Sequence, residues 1–300
     1  MNNLFGGIEA GGTKFVCVIA NNEGRILQEK TIQTASPEIT LNDVCNFFTT
    51  EASIYLANIS SIGIGCFGPL NLDQLSPTYG NITTTPKPGW KNFPIRKFLQ
   101  KKFDIPVAID TDVNAAALGE IYWSLGKKIE NLIYLTIGTG IGGGAYVNKT
   151  LIHGLIHPEM GHMYIPHDGE LDPFQGICPF HGDCFEGLAS GPALAKRWGI
   201  PAEQIIQDHP AWDLEAHYIA LALTNIICIL SPQKIVLGGG VMQQPKLLNL
   251  IRQKVKKYLN EYIKSAMITK KIDQLIVPPS LGNRSGALGA VALAINSKKN

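Results

Sequence analysis

The chain lacks any apolar run long enough to cross a bilayer. Its longest, Ile219 to Leu230, is broken by Thr224 and Asn225 and falls short of the roughly 20 residues a membrane helix needs, so a buried helix is the expected form. Its first residues, Met1-Asn2-Asn3-Leu4-Phe5, have neither a basic stretch nor the apolar core of a signal sequence, and export is not expected. Charge is also sparse. Only 17% of residues are Asp, Glu, Lys or Arg, and a net charge of +2 is too small for a general nucleic-acid surface. Lys254, Lys256, Lys257, Lys270, Lys271, Lys298 and Lys299 are scattered along helices and a tail, and read as a solvated face. Cysteine is rare and mostly dispersed: of six, Cys17, Cys45, Cys66 and Cys228 stand apart in apolar surroundings and read as reduced core residues of a cytoplasmic protein.

The remaining two cysteines sit in Cys178-Pro179-Phe180-His181-Gly182-Asp183-Cys184. Cys and His are common buried residues, so a chance grouping is the plain alternative. The spacing argues against chance, because two residues separate Cys178 from His181 and His181 from Cys184, which lets one turn present three ligands to one zinc ion. Glu186 stands beside this cluster, and Glu159 opens a second one upstream, Glu159-Met160-Gly161-His162. A purely structural clip has no need of them, whereas a site gripping a polyol needs acceptors for several hydroxyl protons.

With 45% hydrophobic residues over 300 positions, the chain can build a large core and lies nearer two domains than one. Strand-like runs Gly6 to Glu9, Phe15 to Ala20 and Arg25 to Thr31, a helical pattern Leu41 to Leu56 and a strand Ser61 to Cys66 mark an α/β lobe. Val107 to Asp110 reads as a buried strand, with Asp112 able to cap the helix beginning at Val113, at the sheet edge where ligands gather. The same grammar restarts with strand Leu132 to Ile137, a glycine turn and strand Gly144 to Val147. The expected lobes are 1–115, completed by a helix over 285–300, and 116–284, carrying a knuckle at about 157–187.

Glycine turns recur at Gly11-Gly12-Thr13, Gly138-Thr139-Gly140 and Gly238-Gly239-Gly240. Such turns let backbone N–H groups approach phosphate oxygens with no Cβ in the way, although hairpins also use glycine for their own geometry. The set is stronger than any member. None fits the G-x-x-x-x-G-K-[ST] pattern, and the dinucleotide fingerprint suggested by Gly138, Gly140 and Gly143 fails because strand-like Gly144-Ala145-Tyr146-Val147 follows where a helix is required.

In combination these motifs resemble the ROK family of sugar kinases and repressors, within the actin-like ATPase superfamily and nearest its fructokinase branch, over essentially the whole chain. The resemblance implies a two-lobed α/β, ribonuclease H-like fold with an inserted zinc knuckle. It makes Glu9, Gly11, Gly12, Thr13 and Lys14 the first phosphate loop, with Glu9 steering Mg²⁺ through water. Gly138, Thr139, Gly140, Gly142 and Gly143 become the second phosphate loop, and Gly238, Gly239 and Gly240 part of an adenosine segment. Asp112 becomes the catalytic base, an ordinary helix cap being the alternative; Thr111 stands where many relatives have Asn and bears on a sugar contact. Glu159, His162 and Glu186 become sugar ligands, and His162 joins Cys178, His181 and Cys184 around Zn²⁺, with His181 where the commoner knuckle has cysteine. His153, His157 and His167 are left as loop residues, and Thr83 to Trp90 as either a sugar-cleft segment or a plain proline-rich loop. The implied activity is ATP-dependent phosphorylation of a hexose, D-fructose first and glucose or mannose next, by a cytoplasmic homodimer without nucleic-acid or membrane partners. A sugar-sensing repressor is the rival from another class, disfavoured because the first phosphate-loop strand begins too near Met1 for a helix-turn-helix.

Overall fold

The computed structural model describes residues 3–56, 59–126 and 128–297. Met1, Asn2, Lys298, Lys299 and the end of the expected 285–300 helix lie outside the described residues. The chain forms two units: residues 1–128, 150–158 and 280–300, and residues 129–149 and 159–279. The division differs from the expected boundary after 115, because the Asp112–Glu120 helix packs wholly within the first unit.

The first unit is built on β1 (Leu4–Ala10), β2 (Lys14–Asn21), β3 (Ile26–Gln33), β4 (Ile59–Cys66) and β5 (Val107–Thr111), in the order β3-β2-β1-β4-β5. β1, β2 and β3 pair antiparallel, while β1, β4 and β5 run parallel. Alternation assigns the faces. Ile8, Ala10, Phe15, Cys17 and Ile19 enter one core with Ile62, Ile64, Phe47, Phe48 and Leu99, whereas Phe5, Val16, Val18 and Ala20 turn to the other face and meet Ala287, Val291 and Ala294 of the Ser285–Asn296 helix. That helix lies close because Gly63 leaves room for it: a Cβ there would fall 1.8 Å from the Ala290 carbonyl oxygen. It also meets the Asp112–Glu120 helix through small residues, a Cβ at Gly289 falling 1.7 Å from the Ala115 oxygen. Buried Glu120 anchors the approach to it, accepting from Ser280 N, Leu281 N and the Ser285 hydroxyl.

The expected helix over Leu41 to Leu56 starts earlier, at Pro37, because Ser36 caps it and proline suits a first helical turn. It is not one helix: Pro37–Asn46 widens into a π turn over Phe47–Glu51, and Ser53–Leu56 adds a short helical turn.

The second unit has β6 (Leu132–Ile137), β7 (Ile141–Val147), β8 (Thr150–Leu151), β9 (Lys234–Gly238) and β10 (Ile276–Val277), in the order β10-β9-β6-β7-β8. β6 and β7 pair antiparallel, β6 and β9 parallel, β9 and β10 parallel. The two sheets therefore repeat one strand order, the duplication hinted at by the recurring glycine hairpins. β6 is buried at Leu132, Ile133, Tyr134, Leu135 and Ile137, the continuous apolar run of a central strand covered on both faces. The Ala211–Leu230 helix has 20 residues, longer than the apolar run alone and long enough by count and composition to cross a bilayer. Here one side of it, including Tyr218, Ile219, Leu223 and Ile226, is buried in the unit's core.

Candidate active site

In the first unit, parallel register sets the ends of β1, β4 and β5 level: Ala10 pairs with Cys66, and Cys66 with Thr111. Glu9 and the Gly11-Gly12-Thr13 turn, Phe67-Gly68-Pro69 and Asp112 therefore emerge along one sheet edge. Lys14 is the first residue of β2, and the turn is closed by Gly11 N donating to the Lys14 oxygen at 3.0 Å. Glu9 follows Phe5 and Gly7 on the face that meets the Ser285–Asn296 helix, so its carboxylate reaches that helix's first turn and accepts from the Ala287 N–H. Burial and the nearby Asp112 charge push its pKa up to about 7, against the smaller opposing effect of Lys14.

Asp112 is the first residue of its helix rather than the cap. Thr111 takes the cap, its buried hydroxyl accepting from Asn114 N at 3.1 Å, because its extended backbone at the strand end points that oxygen at the helix donors. Thr111 is thereby committed to the start of the helix that carries Asp112. Buried Asp110 holds the same corner, taking Thr111 N and Asn114 Nδ2 on one oxygen and His153 Nε2 on the other, all at 2.8 Å. The bond to Asp110 holds the His153 pKa above its usual range. His157 is buried and accepts from Leu70 N at 3.1 Å. Neither histidine is a plain loop residue; both fasten the 150–158 segment, through partners distant in sequence.

In the second unit the expected loop over Gly138 to Gly143 contracts to Gly138-Thr139-Gly140, with Gly142 and Gly143 inside β7 opposite Thr136 and Leu135. A β6–β7 hairpin needs only the short turn, and Gly143 leaves room for Met160, whose sulfur would lie 2.6 Å from an added Cβ. Gly238 likewise ends β9, and Gly239, at φ +94°, passes so near Ile137 that an added Cβ would fall 2.3 Å from its oxygen. Thr136, Gly138, Thr139, Gly191, Gly239 and Gly240 help to line a cavity of about 830 Å³.

Three expected sugar ligands converge beside this turn. Ile141 N donates to Glu186 Oε2 at 2.8 Å, from the Phe185–Ala189 helix. The Met160–His162 turn packs against the backbone of Ile141, where a Cβ at Gly161 would fall 1.9 Å from the Ile141 oxygen. Glu159, which opens that turn, is exposed, and its carbonyl accepts from His162 N at 3.0 Å.

His162, Cys178, His181 and Cys184 come together, with ligand atoms all within 4.8 Å of one another. Cys178 Sγ lies 3.7 Å from His162 Nδ1 and 3.6 Å from His181 Nδ1, and Cys184 Sγ lies 3.7 Å from His162 Nδ1. Sulfur at about 2.3 Å and nitrogen at about 2.0 Å from a tetrahedral zinc would stand about 3.5 Å apart, so the donor set fits. The turn is shaped by paired backbone bonds between Cys178 and Gly182, with Gly182 at φ +65°. Burial pushes the Cys184 thiol up to about 11, a cost that a divalent cation offsets by stabilising the thiolate. His167, expected as a loop residue, bonds Asp183 at 3.1 Å and the Asp172 carbonyl at 2.9 Å. Asp172 is in turn held by Arg197 and the Tyr218 hydroxyl, which ties the knuckle to two helices of the unit. Of the dispersed cysteines, Cys17, Cys45 and Cys66 are buried as expected, but Cys228 is exposed on the outer side of its helix.

A kinase-type sheet edge, paired glycine hairpins and a Cys/His knuckle agree with what sequence comparison finds: the ROK family model matches residues 5–297, and the chain belongs to that family. Fructokinase from Lactococcus lactis subsp. cremoris is 44% identical over 98% of this chain and 98% of its own length. Fructokinase from Pediococcus pentosaceus is 42% identical over 99% of each. Among solved structures, the ROK hexokinase from Thermus thermophilus superposes with a TM-score of 0.80 at 25% identity, covering 100% of this chain and 99% of that one, which places the fold among the actin-like sugar kinases.

Proposed function

We propose that this chain is an ATP-dependent hexose kinase that converts D-fructose to D-fructose 6-phosphate in the cytoplasm, as a homodimer. The observation that carries the reading is a full-length likeness to fructokinases together with a carboxylate, Asp112, presented at the end of β5 beside a glycine turn. Asp112 accepts the proton of the sugar 6-hydroxyl as its oxygen attacks the terminal phosphorus. Glu159, His162 and Glu186 bind and orient the sugar hydroxyls. Gly12 and Thr13, in the turn that Gly11 closes, and Thr139 and Gly140, in the turn that Gly138 closes, take phosphate oxygens on backbone donors, and the cavity beside Gly239 and Gly240 suits adenosine. Positioning and charge neutralisation supply most of the acceleration in such a transfer.

Burial and Asp112 raise the Glu9 pKa to about 7, a divalent cation beside it would restore its full charge, and Mg²⁺ there would neutralise the triphosphate. His162, Cys178, His181 and Cys184 would hold Zn²⁺ in a closed shell, so its contribution would be to orient His162, whose Nδ1 faces the metal set and whose Nε2 would serve the sugar.

An ADP-release assay across fructose, glucose, mannose and N-acetyl sugars, with the product position fixed by NMR, tests the substrate. Asp112→Asn should lower kcat by roughly 10²–10⁴-fold while ATP affinity holds. Near-wild-type turnover of that variant removes Asp112 as the base.

A further inference from the structure

Lys87 belongs to the Thr83–Trp90 run, yet its side chain leaves that run and lies over the first glycine turn. A Cβ built on Gly12 would stand 2.8 Å from Lys87 Cε and 3.5 Å from its Nζ. The lysine is half-buried, and among the described residues its ammonium has no ion-pair or hydrogen-bond partner. Its backbone is fixed. Thr83 N and Oγ1 both donate to the Pro69 oxygen, Trp90 N donates to the Lys87 oxygen at 3.2 Å, and Trp90 Nε1 donates to the Ala35 oxygen at 2.8 Å. Trp90 is 1% exposed and packs on Phe15, the residue after Lys14 in β2, and on Phe67. The anchors of the lysine loop are thus the same elements that carry the glycine turn and the end of β4. A cation without a counter-charge, fixed above backbone donors, is arranged to receive an anion.

We propose that Lys87 binds the terminal phosphoryl group of ATP and stays with that group through its transfer to the sugar. The proposal rests on the hexose-kinase reading, since Asp112 on the same sheet edge marks where the reacting phosphorus must come. In the step, the sugar oxygen forms its bond to the terminal phosphorus while the bond from that phosphorus to the bridging oxygen breaks. The electron pair of that bond leaves with ADP, and the hydroxyl proton passes to Asp112. Lys87 neither gains nor loses a proton; its charge offsets that of the equatorial oxygens. A lysine is suited to this as a compact charge able to follow the phosphorus, where a planar guanidinium would prefer a fixed bidentate pair.

The test compares wild type, Lys87→Met and Lys87→Arg for turnover of fructose and for calorimetric affinity toward ADP, the non-hydrolysable ATP analogue AMPPNP and fructose, all with Mg²⁺. Lys87→Met should lower kcat by roughly 10²–10³-fold, the scale for removing one charge-stabilising donor, and weaken AMPPNP selectively while ADP and fructose affinities hold. Lys87→Arg should restore part of the AMPPNP affinity and less of the turnover. Equal losses for ADP and AMPPNP, a loss confined to fructose, or unchanged turnover in either variant overturns the assignment. Retained ADP affinity certifies that a variant is folded. A wild type that phosphorylates no hexose defeats the kinase reading and this one together, whereas an active wild type matched by its Lys87 variants defeats this one alone.

Discussion

At the end of β1, Glu9 is pressed between the first turn of the Ser285–Asn296 helix and the charge of Asp112, and the folded state answers by raising its pKa from 4.5 to about 7. The sign of the stability effect follows from proton uptake. Between these values the folded chain holds a proton that the unfolded chain has lost, so the contribution is fully present below pH 4.5 and is lost as pH rises through about 7. In the presence of a chelator, wild type should lose on the order of 3 kcal/mol between pH 4.5 and 8 from this group, while Glu9→Gln should not. Denaturant titrations of both proteins across that range check it, and parallel curves would contradict the assignment. Glu9→Gln should also need more Mg²⁺ for half-maximal turnover, because the carboxylate that favours the cation is gone.

Individual elements were largely legible in the sequence where local chemistry decides. β6 spans the expected Leu132–Ile137, since its apolar run is bounded by a polar start and a glycine turn. The glycine hairpins and the Cys178, His181 and Cys184 spacing were equally plain. What escaped is what depends on distant partners. Nothing near position 186 signals that Glu186 will meet Ile141 N, and nothing near 153 signals Asp110. Lys87 reads as one residue of a proline-rich loop, and only the fold lays it over Gly12. Asp112 suits a helix cap by residue type, but the threonine at the strand end competes for that position and holds it. The Met160–His162 turn offers a sharp test at this scale, because its contact with β7 is backbone against backbone. Gly161→Ala would place a methyl group on the Ile141 oxygen, which cannot rotate away, so the turn carrying Glu159 and His162 must shift. Fructose affinity should fall roughly tenfold or more, in line with small misplacements of binding groups, while ADP affinity is retained. Calorimetry showing unchanged fructose binding by a folded Gly161→Ala protein would detach this turn from the sugar.

On the scale of the whole molecule, the Cys/His knuckle is one corner of a unit in which the proposed nucleotide and sugar groups share β7. Elemental analysis of protein purified without a metal-binding tag should find about one zinc per chain, as a closed four-ligand shell requires. Removing it, by a strong chelator or by Cys184→Ser, should lower the melting temperature and weaken fructose binding, with ATP binding less affected and Mg²⁺ still required for turnover. Active wild type without stoichiometric zinc would end the metal assignment, and equal fructose affinity with and without it would end its role in recognition.

The Ser285–Asn296 helix covers one face of a sheet whose first strand begins at Leu4, and it does so through contacts that only glycines permit. On the ribosome this means that the sheet synthesised first is finished last. β1 to β5 leave the exit tunnel with Phe5, Val16 and Val18 uncovered, and they wait while all of β6 to β10 is made. A chain stalled or truncated before Ser285 would therefore present an open apolar sheet face, the state in which chaperones and proteases would find it.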